Sequence, residues 1–134
     1  MKFFEGCTAL VTGASAGLGA EFARQLAPYA KTIVLVARRE ELLQQLKQDL
    51  ETCFSGLTVK IYRADLSHLE NRHQLADWLA AEGIHVNFLI NNAGLGDRGT
   101  FLTGTYDRIE AMLKTNIEAL THLTHLLLPG MVRG

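Results

Sequence analysis

The sequence predicts an α/β protein, a doubly wound parallel sheet with helices on both faces. Three observations carry that expectation. Apolar runs of strand length alternate with segments of helical periodicity, in the order β-α-β-α-β-α-β-α. Thr32–Ala37 is a continuous apolar, β-branched run, the pattern of a strand buried on both faces of a parallel sheet. Thr12-Gly13-Ala14-Ser15-Ala16-Gly17-Leu18-Gly19 then sets three glycines between a strand and a helix.

Each element follows from its residues. Cys7–Val11 is short and apolar enough for the first strand, and Ala20, Phe22, Ala23, Leu26 and Ala27 recur with helical spacing after it. Pro28 stops that helix. Leu42, Leu43, Leu46 and Leu50 mark one face of a helix over residues 40–54, closed by Ser55-Gly56. Leu57, Val59 and Ile61 alternate with Thr58, Lys60 and Tyr62, a half-exposed strand suited to a sheet edge. Ser67 is placed to cap the next helix, with Glu70 at the capping-box position, and Leu69, Leu75, Trp78 and Leu79 form its apolar side. Val86–Ile90 reads as the fourth strand. A glycine-rich loop over 94–104, shaped by Gly96, Gly99 and Phe101, leads to a last helix with Ile109, Met112, Leu113, Ile117, Leu120, Leu123 and Leu127 on one side. Pro129-Gly130 is expected to end it.

Bulk properties exclude several classes. The 134 residues suffice for one domain with a real core. Thirteen basic residues against 14 acidic ones leave a net charge of -1, no field for nucleic acid. No stretch approaches the ~20 apolar residues of a membrane span, and the N-terminal apolar run is too short for a signal peptide. Cys7 and Cys53 fit no metal or redox spacing. His122 and His125 have no third ligand in view and read as solvated, so no metal is expected. The chain reads as soluble and cytoplasmic.

The glycine loop is where chemistry begins. Gly13 permits a tight turn, Gly17 lets a pyrophosphate approach the backbone, and Gly19 lets the helix pack on the strand. Free N–H groups and the positive helix end then face an anion. Arg38-Arg39, Asp65 and Asn91–Gly94 follow the next three strands, at the carboxyl ends where an open α/β sheet binds its ligand.

At these residues the chain resembles the short-chain dehydrogenase/reductase family, over essentially its whole length. Thr12-Gly-x-x-x-Gly-x-Gly19, Asp65-Leu66 and Asn91-Asn92-Ala93-Gly94 occur in that family's order and spacing. The resemblance implies a Rossmann-like sheet of order 3-2-1-4 and an NAD(P)-binding domain over 1–134, the N-terminal part of a longer enzyme. It implies that Gly13, Ser15, Gly17, Leu18 and Gly19 line the cofactor's pyrophosphate and ribose. Asp65 would accept from the adenine amine, with Leu66 beside it. Asn91 and Asn92 would brace the sheet next to Ala93 and Gly94, Thr12 would tie the glycine loop to that turn, and Asn116 would hold a water in a proton relay.

NADP is expected over NAD. The second strand ends in Arg38-Arg39, with no carboxylate before Glu40 to accept from a ribose 2′-hydroxyl. Arg38 can instead meet a 2′-phosphate through paired hydrogen bonds. The basic residue often found before the middle glycine is Ala16 here, which points to a moderate preference. A small carbonyl or alcohol substrate and a homo-oligomer complete the implied picture.

One departure is plain. The family's catalytic Ser, and its Tyr and Lys four apart, are absent: Tyr29, Tyr62 and Tyr106 have no Lys four residues later. Residues 131–134 read as the lead-in to a fifth strand, with the fold cut before it. The expectation is an oxidoreductase's cofactor half, unable to turn over substrate alone. The alternative is a non-catalytic nucleotide-binding remnant or dimerising module. A methyltransferase is disfavoured by Asp65-Leu66 and Asn91–Gly94 occurring together.

Overall fold

The computed structural model describes residues 4–94 and 104–133. The expected glycine-rich loop, with Gly96, Gly99 and Phe101, lies mostly outside them. Four parallel strands, β1 (Thr8–Thr12), β2 (Thr32–Ala37), β3 (Thr58–Arg63) and β4 (Phe88–Ile90), form one sheet in the order β3-β2-β1-β4. Helices α1 (Gly17–Leu26), α2 (Glu40–Cys53) and α3 (Leu69–Ala81) make the crossovers. A last helical stretch follows: α4 (Tyr106–Leu113), a π-helical turn (Lys114–Ala119) and α5 (Leu120–Arg133).

Strand alternation sorts the core into two layers. Ala9, Val11, Ile33 and Leu35 pack with Ala23, Leu26, Leu43 and Leu46 of α1 and α2. Leu10, Val34 and Val36 face the other way, onto Leu75 and Leu79 of α3 and Ala119 and Leu123 of the last helix. Burying each such Leu or Val side chain is worth about 1.5–3 kcal/mol. Register is uniform, with Thr8–Thr12 opposite Thr32–Val36, and Ala9–Val11 opposite Phe88–Ile90. All four loops that follow the strands therefore open at one end of the sheet.

The structure departs from the sequence reading in four places. Helix α5 runs through Pro129 and Gly130 to Arg133, so neither residue ends it and residues 131–133 are helix rather than the approach to a strand. Proline's fixed φ is helical, so the helix continues at the cost of the residue's own N–H bond and of crowding between its ring and the carbonyl four residues back. The fourth strand is three residues long, because Asn87 uses its side chain as well as its backbone: its N–H donates to the Thr8 carbonyl at 3.0 Å and its Oδ1 accepts from the Thr8 N–H at 2.9 Å. Ser67 caps nothing. Helix α3 begins after His68 with no side-chain cap, and the Ser67 hydroxyl instead donates to Asp65 Oδ1 at 2.7 Å. His122 is not solvated but bonded to α3, as described below.

Candidate nucleotide-binding site

The β1–α1 loop is held from beneath. The Ala14 N–H donates to the Val36 carbonyl at 3.2 Å, tying the loop to the end of β2. Gly13 and Gly17 have φ of 64° and 59°, the left-handed region that glycine enters without penalty. Gly19 is buried so closely against the Gly13 carbonyl that any Cβ there would collide with it. Beside Gly17 the space is open. Helix α1 starts with no side-chain cap at Ala16 and no acidic residue in its first turn. Its first N–H groups and its dipole are thus available to an anion. Leu18 points outward and is 69% exposed.

A cleft of about 670 Å³ opens above this loop. Gly13, Ser15 and Ala16 line one side, Arg38 and Arg39 another, and Asp65, Leu66, Asn92, Ala93, Gly94 and Thr115 the rest. Both arginines are exposed at the β2–α2 junction. The Arg38 carbonyl accepts from Arg63 Nε at 3.3 Å, which pins the backbone while its guanidinium stays at the cleft. Asp65 Oδ1 accepts from both the hydroxyl and the N–H of Ser67, at 2.7 and 3.0 Å. Partial burial pushes its pKa up, but those two bonds and the His68 and Arg38 charges outweigh it and hold the carboxyl below its ordinary range.

Thr12 joins the glycine loop's strand to the end of β4. Its buried Oγ1 accepts from the N–H groups of Asn92 and Ala93, both at 2.9 Å, and contacts the Ile90 carbonyl at 3.4 Å. Asn92 Nδ2 donates to the Gly13 carbonyl at 3.3 Å, so the two turns hold each other. Asn91 points away from the cleft, its Nδ2 donating to Thr124 on α5 at 2.9 Å.

Asn116 sits in the π-helical turn, with Oδ1 only 3.2 Å from where a side chain on Gly94 would begin. A π-turn widens the helix by a residue and re-aims the side chains on it. Here it carries Asn116 to the Asn91–Gly94 turn and Thr115 to the cleft wall. Thr115 is buried, and among the described residues its hydroxyl has no partner.

Sequence reasoning missed Arg72, which is fully buried on α3. Nη1 donates to the Leu66 carbonyl at 2.7 Å, Nε to His122 Nδ1 at 2.8 Å, and Nη2 to Glu118 at 3.0 Å. The signal was present: Arg72 falls in register with Leu75 and Leu79, a charge on a buried stripe.

Residues 7–134 match the short chain dehydrogenase family. The chain belongs to that family. It is 34% identical over 132 residues to a fatty acyl-CoA reductase from Acinetobacter baylyi, covering 96% of this chain and 44% of that protein. Among solved structures, L-sorbose reductase from Gluconobacter frateurii, complexed with NADPH and L-sorbose, superposes with a TM-score of 0.89 at 28% identity, over 98% of this chain and 50% of that one. A short-chain dehydrogenase from Sphingobium yanoikuyae in complex with NADPH gives 0.84 at 34% identity, over 95% and 49%. The chain thus spans about half the length of these similar proteins. No helix among the described residues is long and apolar enough to cross a membrane.

Proposed function

We propose that residues 1–134 are the NADP-binding domain of an oxidoreductase acting on a small carbonyl or alcohol substrate. The observation that carries this is the Arg38-Arg39 pair at the same cleft as the open glycine loop, with no carboxylate at the end of β2. The chain's own residues fit the group. Uncapped N–H groups at Gly17–Gly19 meet the pyrophosphate, Arg38 meets the 2′-phosphate through charge-assisted bonds, and Arg39 adds positive charge. Asp65, ionised, with Oδ1 engaged by Ser67 and Oδ2 3.6 Å from His68 Nε2, offers the remaining acceptor capacity of Oδ2 to the adenine amine, beside apolar Leu66. Thr12, Asn91, Asn92, Ala93 and Gly94 hold the wall against which the ribose rests, and Asn116 orients a water near that turn. The bound dinucleotide supplies the hydride donor or acceptor. The NADPH complexes of two similar structures support the same choice of cofactor.

Calorimetric titration with NADP and NAD tests this, with tighter binding of NADP expected. Equal affinities would overturn the cofactor assignment. The reading includes self-association: Leu113, Ile117, Leu120 and Leu128 stand exposed along the last helix. Light scattering that finds a clean monomer at high concentration counts against that part.

A further inference from the structure

Arg72 has no role in the site as described, yet its three bonds join two chain segments that line the cleft. Leu66, whose carbonyl it holds, lines the cleft beside Asp65. Glu118, which it also holds, lies on the π-helical turn that presents Thr115 to the same cleft and carries Asn116. His122, its third partner, opens the first turns of α5. A planar guanidinium with a fixed fork of donors sets both distance and angle between what it joins. We propose that Arg72 is a positioning residue: it fixes the separation of Leu66 from Thr115, and neutral His122 is the part of that tie that acid releases.

The chemistry follows from atom identities. His122 Nδ1 accepts from Arg72 Nε, so its proton sits on Nε2 and the lone pair on Nδ1 is committed. Protonation consumes that lone pair and sets a second cation against Arg72. The groups facing His122 are Arg72 and His73 from α3, with His73 in edge contact at 5.0 Å between ring centroids, and Glu118 and His125 from its own helical stretch. Partial burial, then Arg72, His73 and His125, all disfavour the imidazolium, and Glu118 alone opposes them. The lock is therefore closed at neutral pH and opens below it. Glu118 is 55% exposed at its side chain while Arg72 is wholly buried, so Glu118 can turn to water when the tie is lost.

This inference rests on the nucleotide reading of the cleft, and the test separates the two. Arg72→Met keeps most of the volume and removes the fork, and because Glu118 is 55% exposed the carboxylate left behind turns to water rather than staying buried and unpaired. Calorimetry with NADP is expected to show affinity lowered by about fivefold, as for a cleft that is competent only one-fifth of the time. His122→Gln keeps an acceptor for Arg72 but cannot titrate. From about pH 7.5 to about pH 5.5 the native chain should lose several-fold more affinity than His122→Gln, the ligand's own ionisation cancelling in the ratio. Hydrogen exchange without ligand reads the tie directly, with faster exchange at Ser67, His68 and the π-helical turn expected in Arg72→Met. Unchanged affinity and exchange in Arg72→Met, or identical pH profiles for native and His122→Gln, would overturn the proposal. Arg72-dependent exchange in a native chain that binds no dinucleotide would support the tie and overturn the functional reading alone.

Discussion

Thr12→Val removes one oxygen and leaves the shape of the side chain nearly unchanged. That oxygen accepts two N–H groups, from Asn92 and Ala93 at 2.9 Å each, in a position where Thr12 is 1% exposed. An N–H left unpaired in the interior costs about 1–3 kcal/mol. Asn92 and Ala93 are only half-buried, so water reaches part of the turn, and the lower end of that range applies to each. The added methyl returns about 0.8 kcal/mol. The net loss is then about 1–2 kcal/mol, against a whole-domain stability on the order of 5–15 kcal/mol. With a urea slope of about 2 kcal/mol/M, the middle of the usual range of about 1–3, the midpoint falls by about 0.5–1 M. Thr12→Ser retains the acceptor and is the control. It loses a methyl group, about 1 kcal/mol, but holds Asn92 and Ala93 in place. The two variants separate in dinucleotide affinity, which should fall for Val and stay near native for Ser. A Val variant with native affinity would refute the role given to this oxygen.

Gly19→Ala places a Cβ against the Gly13 carbonyl and 2.7 Å from Asn92 Nδ2, so backbone must move. A loss of about 1–3 kcal/mol and of cofactor affinity is expected by thermal unfolding and calorimetry. Asp65 should titrate below an ordinary carboxyl in an NMR pH series, and Ser67→Ala, which removes its shortest bond, should raise it. Because the folded value is depressed, Asp65's contribution to stability is complete above the unfolded value of about 3.9 and is lost as pH falls through the folded one. The 134-residue chain holds no Tyr followed four residues later by Lys, and is expected to bind cofactor without reducing ketones or aldehydes. Sustained nicotinamide absorbance change with such substrates, lost in Asn116→Ala, would show a catalytic acid elsewhere in these residues.

What could be read in the sequence was whatever local pattern decides. The apolar run Thr32–Ala37 is buried throughout, apart from half-buried Thr32, because β2 lies between β1 and β3 with helices packed on both faces. The glycine spacing 13-17-19 was legible because left-handed backbone and a collision at Cβ leave no other residue type. Features settled by competition between partners, local or distant, were not legible. Ser67 had the local chemistry of a cap, yet the Asp65 carboxylate two residues back took its hydroxyl. Pro129 and Gly130 look like a stop, but Leu123 packed in the core anchors α5, and the helix continues past them. The π-helical turn at Asn116 has no sequence signature of its own. Arg72 went unread, and His122 read as a solvated ring because its partner Arg72 lies 50 residues away along the chain.

Arg38→Asp tests the central claim most directly. Arg38 is exposed at the cleft, and the replacement supplies at the end of β2 a carboxylate that can accept from a ribose 2′-hydroxyl. Charge-assisted bonds to phosphate are worth about 1.5–3 kcal/mol, so the native chain should favour adenosine nucleotides bearing a 2′-phosphate by roughly tenfold or more. Calorimetry on both chains should show that preference abolished or reversed in Arg38→Asp, with unphosphorylated adenosine nucleotides bound at least as well as by the native chain. Equal affinity of the native chain for both nucleotides, or a preference that Arg38→Asp leaves intact, would contradict the placement of the 2′-phosphate at Arg38.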